Sequence, residues 1–307
     1  MSGGELDADR IEFSVIIPTH GRPEQLRKAL EAISQTDFPP RELEVIVVAD
    51  GGGQGLEAAV AEIESPIATR VVEQSQAGPA AARNAGAACS RGRYLAFTDD
   101  DCLPTPGWLS ALKEALDASP GALVGGRTIN AINGNRCSEA SQLIQEIVYS
   151  HYNGQPDRAS FLASNNMALG AAGFANLGGF DPSFWFASED REFCDRWLWD
   201  DRPMHYVADA VVRHAHELTL ASFCQQHFRY GRGAAKYHRT RADRGSGKFS
   251  DHVSFHANLN NWLTPTVEGG VVRQAQTRAL LLAWQGANAL GFLWERFRQT
   301  VANNGRR

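Results

Sequence analysis

The amino-terminal third of the chain carries polar residues at three places where an apolar run ends. These are Thr19-His20, Asp50 and the acidic triplet Asp99-Asp100-Asp101. If the apolar runs are parallel strands, their carboxyl ends gather these side chains at one edge of a sheet, where ligands of such sheets bind. Several carboxylates at one strand end are electrostatically costly unless a cation is bound, and their hard oxygens suit Mg²⁺ or Mn²⁺. A solvated acidic turn is the alternative, because surface aspartates are common.

A second acidic pair, Glu189 and Asp190, follows Ser188, which is placed to cap a helix over residues 188–200. The helix dipole favours carboxylates in the first turn and keeps them ionised. An ionised carboxylate within reach of a hydroxyl can act as a general base. Acidic residues also start helices for purely structural reasons, so the pair by itself leaves both roles open.

Two aromatic residues precede this second pair in the sequence, and two histidines follow it. His214 and His216 follow the strand-like run 210–212 and point the same way on a strand. Imidazole suits Mn²⁺ better than Mg²⁺, so either histidine could join a metal site, with His214 preferred, or be structural. Trp185 and Phe186 form an apolar platform for a sugar or lipid, or belong to the core.

These side chains depend on the elements around them, which the hydrophobic pattern predicts. Strands are expected at residues 13–17, 44–49, 70–73, 94–98 and 121–129. Helices are expected between the first four strands, after Thr105 with Pro106 at the first helical position, over residues 188–200, and from Thr219 onward. Strands that alternate with helices indicate a mostly parallel sheet with right-handed crossovers, and therefore an α/β fold.

Composition excludes several classes of protein. The 307 residues are 43% hydrophobic and 21% charged, which excludes a disordered chain, a collagen-like fibre and a polytopic membrane protein. A net charge of −5 argues against a general nucleic-acid-binding surface. Five scattered cysteines without a C-x-x-C pair, and a first segment without the apolar core of a signal peptide, predict a cytoplasmic protein.

Four motifs occur in an order that resembles the family 2 glycosyltransferases, inverting enzymes with the GT-A fold. They are PTHGRP after the first strand, ADGG after the second, AGPAAARNAG, and TDDD after the fourth, and the resemblance covers roughly residues 13–215. It implies a GT-A type, Rossmann-like three-layer α/β sandwich with a mostly parallel central sheet. Residues 1–215 would form the catalytic domain, with a nucleotide-sugar half at about 11–125 and an acceptor half at about 126–215. Residues 216–307 would form a helical C-terminal extension.

The resemblance also implies which residues bind a nucleoside-diphosphate sugar. They come from the four motifs and are Pro18, Thr19, His20, Arg22, Asp50, Gly78, Arg83, Asp99 and Asp100. Asp50 would contact the base, and Ala49 and Gly52 replace the acidic residue and the serine that the family usually carries there. Arg83 would contact the nucleotide or brace the acidic motif. UDP-sugars are favoured, with GDP- and dTDP-sugars as alternatives.

The D-x-D motif of the family corresponds to Asp99 and Asp101. By resemblance, Asp99 lies near the ribose and Asp101 ligates a divalent metal on the diphosphate, Mn²⁺ or Mg²⁺, with Asp99 as a further ligand. Asp100 would share either role. A histidine often completes the metal site in such enzymes, which implies His214, or His216 as the alternative.

On the acceptor side, Glu189-Asp190 resembles the Glu-Asp pair of the family. The resemblance makes Asp190 the general base and Glu189 its acceptor-binding neighbour. In an inverting transfer the acceptor hydroxyl loses its proton as it attacks the anomeric carbon, and a carboxylate within reach can take it. Trp185, Asn165 and Asn166 are the expected acceptor contacts.

The last third of the chain contains a basic segment and an apolar one. Seven Lys or Arg residues lie between His227 and Lys248 against one acid, Asp243, and residues 239–250 are expected to form a mobile loop. This segment is interpreted as a lid over the diphosphate, a surface attracted to anionic lipid, or a solvated face. The apolar run 279–294 is shorter than a bilayer span. It is interpreted, in this order, as a packed helix, a homodimer contact or an interfacial helix on the inner face of the membrane.

Together these features predict a metal-dependent inverting glycosyltransferase that moves a sugar to a hydroxyl of a glycan, a lipid-linked molecule or a small molecule. One alternative is a nucleotidyltransferase, which would usually carry a Gly-rich loop where this chain has Pro18–Pro23 with a single glycine. Another is a glycosyltransferase-like binding protein that has lost turnover. The leading prediction requires Asp99–Asp101 and Glu189-Asp190 to share one cleft.

Overall fold

Eight strands form one sheet in the computed structural model, which describes residues 10–247, 255–256, 262 and 270–304. The strands are β1 (Phe13–Thr19), β2 (Leu43–Asp50), β3 (Ala68–Gln74), β4 (Tyr94–Thr98), β5 (Cys102–Pro104), β6 (Leu123–Asn130), β7 (Asn166–Gly170) and β8 (Met204–His214). Their order is β3-β2-β1-β4-β7-β6-β8-β5. Only β7 and β5 run against the other strands, so the predicted, mostly parallel sheet is confirmed.

The helices of the described part of the chain connect these strands and extend beyond them. They are α1 (Pro23–Ser34), α2 (Leu56–Ala61), α3 (Pro79–Cys89), α4 (Trp108–Ala118), α5 (Arg136–Tyr152), α6 (Ala171–Leu177), α7 (Glu189–Trp199), α8 (Leu220–Arg244) and α9 (Gly270–Asn304), with 3₁₀ turns at Pro40–Glu42 and Pro156–Arg158. Helices α1 and α3 begin at a proline, whose fixed φ suits the first turn. Thr219 caps α8 reciprocally with Ser222.

The core lies on both faces of the sheet, because alternate residues of a buried strand point to opposite sides. On one face, Val15 and Ile17 of β1 pack with α1 and α4, including the fully buried Trp108. On the other face, Ile16 packs with α3, α6 and α7, including Trp197. Each such buried side chain contributes about 1.5–3 kcal/mol. This three-layer packing fixes the carboxyl edge of the sheet.

Helices α5, α8 and α9 form a further helical layer with its own apolar cluster, which includes Ile144, Phe223 and Trp284. Helices α8 and α9 cross closely at two glycines. A Cβ at Gly231 or at Gly291 would lie 2.0 Å from a backbone oxygen of the other helix. No helix in the described part of the chain has both the length and the apolar character needed to cross a membrane.

Two helices differ from the sequence prediction. No helix was expected over residues 136–152, where α5 lies. Helix α4 begins at Trp108 with Gly107 at its N-cap, rather than after a Thr105 cap. The Thr105 hydroxyl instead donates a hydrogen bond of 3.0 Å to the carbonyl of Val211, because the sheet offers it a partner.

The basic segment is helical over residues 239–244, where a loop was predicted, because α8 continues to Arg244. Arg241 and Arg244 each lie 2.8 Å from a carboxylate oxygen of Asp195 on α7. A lid needs cations that are free to reach the diphosphate, and these two arginines are instead paired with Asp195 in this structure. Residues 248–250 lie outside the described part of the chain.

Candidate active site

A cavity of about 520 Å³ lies at the carboxyl ends of β1, β2 and β4 and extends to α5, α8 and α9. The predicted site residues that line it are Pro18, Thr19, His20, Arg22, Asp50, Arg83, Asp99, Asp101, Asn165, Glu189, Asp190, His214 and His216. The two acidic clusters therefore share one cleft, as the leading prediction requires.

Asp100 is the member of the acidic triplet that does not line the cavity. Its side chain is fully buried and accepts hydrogen bonds from the Thr19 hydroxyl at 2.6 Å and from Nε of Arg22 at 3.0 Å. Burial raises the pKa of Asp100 to about 7, although the charge of Arg22 opposes this shift. The prediction that Asp100 contacts the nucleotide is wrong, because its carboxylate is used to hold the loop after β1.

Asp101, His214 and His216 converge on one wall of the cavity. Strand β5 pairs antiparallel with β8, so that Cys102 lies opposite His214. This pairing brings a carboxylate oxygen of Asp101 to 3.2 Å from Nε2 of His214. One ligand atom from each of Asp101, His214 and His216 lies within 4.8 Å of the others. A carboxylate with two imidazoles is a suitable donor set for Mn²⁺, so these residues fit a divalent ion.

Electrostatics favour the metal-binding protonation states of Asp101 and His216, whereas His214 would have to release a proton to bind a metal ion. Burial opposes ionisation of Asp101, but the hydrogen bond and charge of His214 outweigh it and hold the pKa of Asp101 below its ordinary value. Burial lowers the pKa of His214, whereas Asp101 raises it, and the net shift is upward. Burial and the neighbouring His214 lower the pKa of His216, which favours the neutral imidazole that binds metals.

Asp99 is close enough to Asp101 to contribute to the same site. Ligand atoms of Asp99, Asp101 and Cys102 lie within 4.8 Å of one another. The Cys102 thiol is fully buried, and burial raises its pKa well above the ordinary value. Because metals bind the thiolate, Cys102 is the least suitable donor of the three.

Arg83 links the two acidic clusters. Its side chain is buried near the start of α3, where Nη2 donates to Asp99 over 2.6 Å and Nη1 donates to Glu189 over 2.9 Å. Burial opposes the charge of this guanidinium, but the two carboxylates outweigh it and raise the pKa of Arg83. Of the two roles that the sequence left open, the structure shows the contact that braces the acidic motif.

Glu189 and Asp190 open α7 at the cavity wall. Ser188 precedes them with a left-handed φ of 73° and makes no side-chain capping bond, so the expected cap is absent. Burial and the charge of Asp190 raise the pKa of Glu189 to about 7, and Arg83 opposes the shift. Burial also raises the pKa of Asp190, whose Oδ1 accepts from the amide of Arg191 at 2.8 Å. A carboxylate with a raised pKa is the better proton acceptor.

Asp50 is held at the opposite end of the site by hydrogen bonds. Its Oδ1 accepts from Gln74 and from the amide of Ala77, each at 2.7 Å, and its Oδ2 accepts from the amide of Gly78 at 2.8 Å. A carboxylate offers about four acceptor positions. Oδ2 therefore keeps one for a ligand. Nδ1 of His20 lies 2.7 Å from the carbonyl oxygen of Asp50 and fixes the two strand ends together.

Asn165 and Asn166 have different surroundings. Asn165 lines the cavity. Asn166 is fully buried, where it accepts from the indole N–H of Trp108 at 2.8 Å and donates to the carbonyl of Ala210 at 2.9 Å. The prediction that Asn166 binds the acceptor is wrong, because its amide crosslinks the interior of the sheet.

Gly78 and Trp185 pack against each other and do not line the cavity. Gly78 has a φ of 90°, and a Cβ there would lie 3.4 Å from the backbone oxygen of Trp185. Phe186 lines the cavity, with the guanidinium carbon of Arg232 at 4.3 Å from its ring centre. The small glycine accommodates the Trp185 loop, and the ligand contacts expected of Gly78 and Trp185 stay predictions.

One wall of the cavity consists of residues that were not predicted from the sequence. Tyr149 and Tyr152 of α5, His227 of α8 and Trp284 of α9 line it, as does Arg191 of α7. The signal for α5 was present, since Asn135 caps a run with apolar residues at positions 140, 144 and 148. Nothing local in the sequence indicates that α8 and α9 return to this edge of the sheet.

Residues 14–174, more than half of the chain, match the family model for Glycosyl transferase family 2. The chain belongs to this family. The family predicted from the four motifs is therefore confirmed.

Two curated relatives illustrate the sequence similarity within glycosyltransferase family 2. The pre-mycofactocin glycosyltransferase of Mycobacterium tuberculosis is 26% identical over 273 residues, which are 86% of this chain and 54% of that protein. Glycosyltransferase AglE of Haloferax volcanii is 34% identical over 115 residues, 37% of this chain and 38% of that protein. The chain thus matches about half, or less, of the length of these relatives.

Two solved structures share the family 2 architecture. The mannosyltransferase PcManGT of Pyrobaculum calidifontis, in complex with GDP-Man and Mn²⁺, has a TM-score of 0.65 at 18% identity, over 96% of this chain and 91% of that chain. TarS 1-349 of S. aureus, in complex with UDP, has a TM-score of 0.50 at 16% identity, over 94% and 92%. These similarities confirm the predicted GT-A fold.

Proposed function

We propose that the protein transfers a sugar from a nucleoside diphosphate to a hydroxyl acceptor, with inversion at the anomeric carbon. The observation that carries this proposal is the bridge made by Arg83 between Asp99 and Glu189. It places the expected donor and acceptor carboxylates on one cavity, separated by a single guanidinium. This arrangement suits an in-line displacement, in which the acceptor oxygen attacks one side of the anomeric carbon while the diphosphate leaves from the opposite side.

The donor end of the cavity would hold the nucleotide. Asp50 offers a free acceptor position for a base, with Pro18, Thr19, His20 and Arg22 beside it. Asp101, His214, His216 and Asp99 would hold Mn²⁺ or Mg²⁺, which neutralises the developing charge of the diphosphate when bound. The ligands named for the two solved relatives, GDP-Man and UDP, support a nucleoside-diphosphate sugar without choosing the base.

In the proposed reaction the acceptor oxygen bonds to the anomeric carbon while the bond to the diphosphate oxygen breaks. The electron pair leaves with the nucleoside diphosphate, and the acceptor proton passes to a carboxylate oxygen of Asp190. The burial that raises the pKa of Asp190 makes it a stronger base than a solvated aspartate. Glu189 accepts a hydrogen bond from Arg83, so Asp190 is the member of the pair that is more available to accept a proton.

The predicted end of the catalytic domain near residue 215 agrees with these proposed roles. Residues up to His214 supply both acidic clusters, and α8 and α9 close the acceptor side.

Helix α9 packs one face on α8 and leaves Leu290, Leu293 and Phe297 more than 60% exposed on the other. We propose that a second copy of the chain covers this face, with a membrane surface as the alternative.

Donor cleavage tests the proposed function. With Mn²⁺, GDP- or UDP-sugars should yield the nucleoside diphosphate, whereas pyrophosphate would indicate nucleotidyl transfer. Asp190→Asn should keep donor affinity within about twofold and lower the rate of transfer by 10²–10⁴-fold, the range for loss of a general base. The exposed Asp243 provides the control variant Asp243→Asn. Normal turnover by Asp190→Asn, or no cleavage of any donor, would contradict the proposal.

A further inference from the structure

Arg191, the residue after the proposed base, lines the cavity, and its guanidinium has no polar partner within the described part of the chain. Its side chain makes no hydrogen bond and no ion pair with any residue that the structure describes, whereas Arg22 and Arg83 on the same cavity are each paired with two carboxylates. The guanidinium nitrogens of Arg191 are not fully buried. An anionic ligand in the cavity can therefore reach them and accept their hydrogen bonds.

Aromatic rings hold this guanidinium in place without neutralising it. Its central carbon lies 5.0 Å from the ring centre of Tyr152 and 5.4 Å from those of Phe161 and Tyr237. Cation–π contacts orient the planar group through its faces. The N–H donors at its edge stay available, and their fork geometry matches a carboxylate or a phosphate.

The carboxylates nearest to Arg191 in the sequence are already engaged. Glu189 accepts from Arg83. Glu192 and Asp195 accept from α8, where Arg244 donates to both. Asp190 accepts the backbone amide of Arg191, not its side chain. Glu189, Glu192 and Asp195 thus pair with other arginines, and no described carboxylate forms an ion pair with the Arg191 side chain.

The wall next to Arg191 is mainly apolar and aromatic, although amide and hydroxyl side chains of α5, α8 and α9 also line the cavity. Ile144, Val148 and Tyr149 of α5 face this part of the cavity together with Trp284 of α9. His227 also lines it, is 1% exposed, and has no hydrogen-bond partner for either ring nitrogen among the described residues. Burial lowers the pKa of His227 to about 4, so it is neutral. An apolar body with few polar groups matches these surroundings better than an extended, fully hydroxylated glycan does.

We propose that the acceptor carries an anionic group, a carboxylate or a phosphate, on an apolar body beside its hydroxyl, and that Arg191 binds this anion. The inference rests on the proposed function, because it assigns the acceptor end of the same site. A competing explanation is that Arg191 acts only through its charge on Asp190. The two differ in whether removing Arg191 changes the discrimination between charged and neutral acceptors.

Binding of four probes to the full chain, measured by calorimetry with Mn²⁺ and UDP, separates these explanations. Phenyl β-D-glucuronide carries the anion and the ring, phenyl β-D-glucoside lacks the anion, and methyl β-D-glucuronide lacks the ring. Phenyl β-D-glucoside 6-phosphate replaces the carboxylate by a phosphate. We expect the phenyl glucuronide to bind at least about tenfold more tightly than either the phenyl glucoside or the methyl glucuronide, the range for one charged hydrogen bond or one buried ring. A tighter phosphate analogue would assign the anion as phosphate.

Substitutions of Arg191 complete the experiment. Arg191→Gln should reduce the preference for the charged phenyl probe to about twofold or less, and Arg191→Lys should keep an intermediate preference, because it retains charge without the fork. Arg93→Gln is the matched control, since Arg93 makes a cation–π contact of 4.7 Å with Tyr94 at the other end of β4. It should keep the full preference.

Three results would overturn the proposal. They are equal binding of charged and neutral phenyl probes by the unmodified protein, no binding of either, and a preference that survives in a folded Arg191→Gln variant. None of these measurements requires turnover. Failure of donor cleavage would therefore refute the proposed function while leaving the anion site standing, and the reverse also holds.

Discussion

At the scale of single residues, the site is organised by how each charge is paired. Asp100 is buried and used structurally, whereas Asp101, one residue later, reaches the cavity beside His214. Arg83 donates hydrogen bonds from its two terminal nitrogens to different acidic clusters. The same residue types thus have different roles, and the difference comes from which side of the strand end each carboxylate occupies.

Removing the carboxylate of Asp101 should abolish metal-dependent donor binding. Asp101→Ala removes the carboxylate that is common to both candidate ligand sets, one with His214 and His216 and one with Asp99 and Cys102. The remaining imidazoles hold a hard ion poorly. We expect the affinity for UDP or GDP in Mn²⁺ to fall at least about tenfold, a loss of about 1.4 kcal/mol. Calorimetry would show this, with the exposed Asp243→Ala as the control. Unchanged affinity would contradict the metal assignment.

Glu189 should make stability depend on pH between about 4.5 and 7. Its pKa is raised in the folded state from 4.5 to about 7 by burial, so only the folded protein keeps this proton in that window. The stabilisation is complete below pH 4.5 and is lost as the pH rises through 7. In Glu189→Gln, the free energy of unfolding should fall less steeply across this window, by up to about 1.4 kcal/mol per pH unit.

Denaturant titrations at several pH values would measure this slope. The exposed Glu57 of α2 provides the control Glu57→Gln, which should parallel the unmodified protein. Parallel curves for Glu189→Gln would show that Glu189 does not hold the proton.

At the scale of elements, the site depends on α8 passing closely over the loop before α7. Ser188 adopts its left-handed φ of 73° where Gly233 of α8 leaves room. A Cβ at position 233 would lie 2.6 Å from the carbonyl oxygen of Ala187 and 2.7 Å from the Ser188 hydroxyl. The position of the Glu189-Asp190 pair is therefore set by a helix that follows it in sequence by some 40 residues.

Substituting Gly233 should displace the acidic pair. We expect Gly233→Ala to lower the free energy of unfolding by about 1–3 kcal/mol, the usual cost of overpacking, and to lower transfer more than donor binding. Gly286 of α9 is the matched control, because a Cβ there meets nothing within 4 Å. Gly286→Ala should be neutral or slightly stabilising. Thermal melts and donor calorimetry would detect the effect, and equal behaviour of the two variants would contradict it.

At the scale of the whole molecule, α9 presents two faces with different surroundings. Leu281 and Trp284 are buried against α5 and α8, whereas Leu290 and Phe297 are each 64% exposed. An uninterrupted apolar face of this kind on a surface helix is usually covered by a partner. Helix α9 also closes the acceptor side of the cavity. A partner that covers the exposed face of α9 would therefore affect how an acceptor enters the cavity.

The double variant Leu290→Gln/Phe297→Gln should convert a dimer into a monomer in sedimentation experiments. Burying two such side chains contributes about 3–6 kcal/mol per copy, enough to decide the association. Leu220→Gln, at an exposed leucine at the start of α8, is the control. A monomeric unmodified protein would refute the dimer. If that monomer floats with anionic vesicles and the double variant does not, the face is a membrane contact.

The sequence by itself predicted five of the eight strands, the mostly parallel character of the sheet and the family. Strands such as β1, β2 and β4 are buried throughout, so their apolar runs identify them without tertiary information. The polar residues that follow them had to meet at one edge, because parallel strands share a carboxyl end. This is why Asp50, Asp99 and Asp101 could be expected at one edge in advance, whereas Glu189 was assigned to the same cleft only through the resemblance to the family.

Only the tertiary structure decided which neighbours within a motif reach the cavity. Asp100 and Asp101, or Asn165 and Asn166, are indistinguishable by type and spacing, but the packing around them directs one side chain into the interior and the other towards the cavity. The acceptor wall was decided in the same way. It is built from α5, α8 and α9, which converge through long-range packing at glycines such as Gly231, and no local pattern encodes that contact.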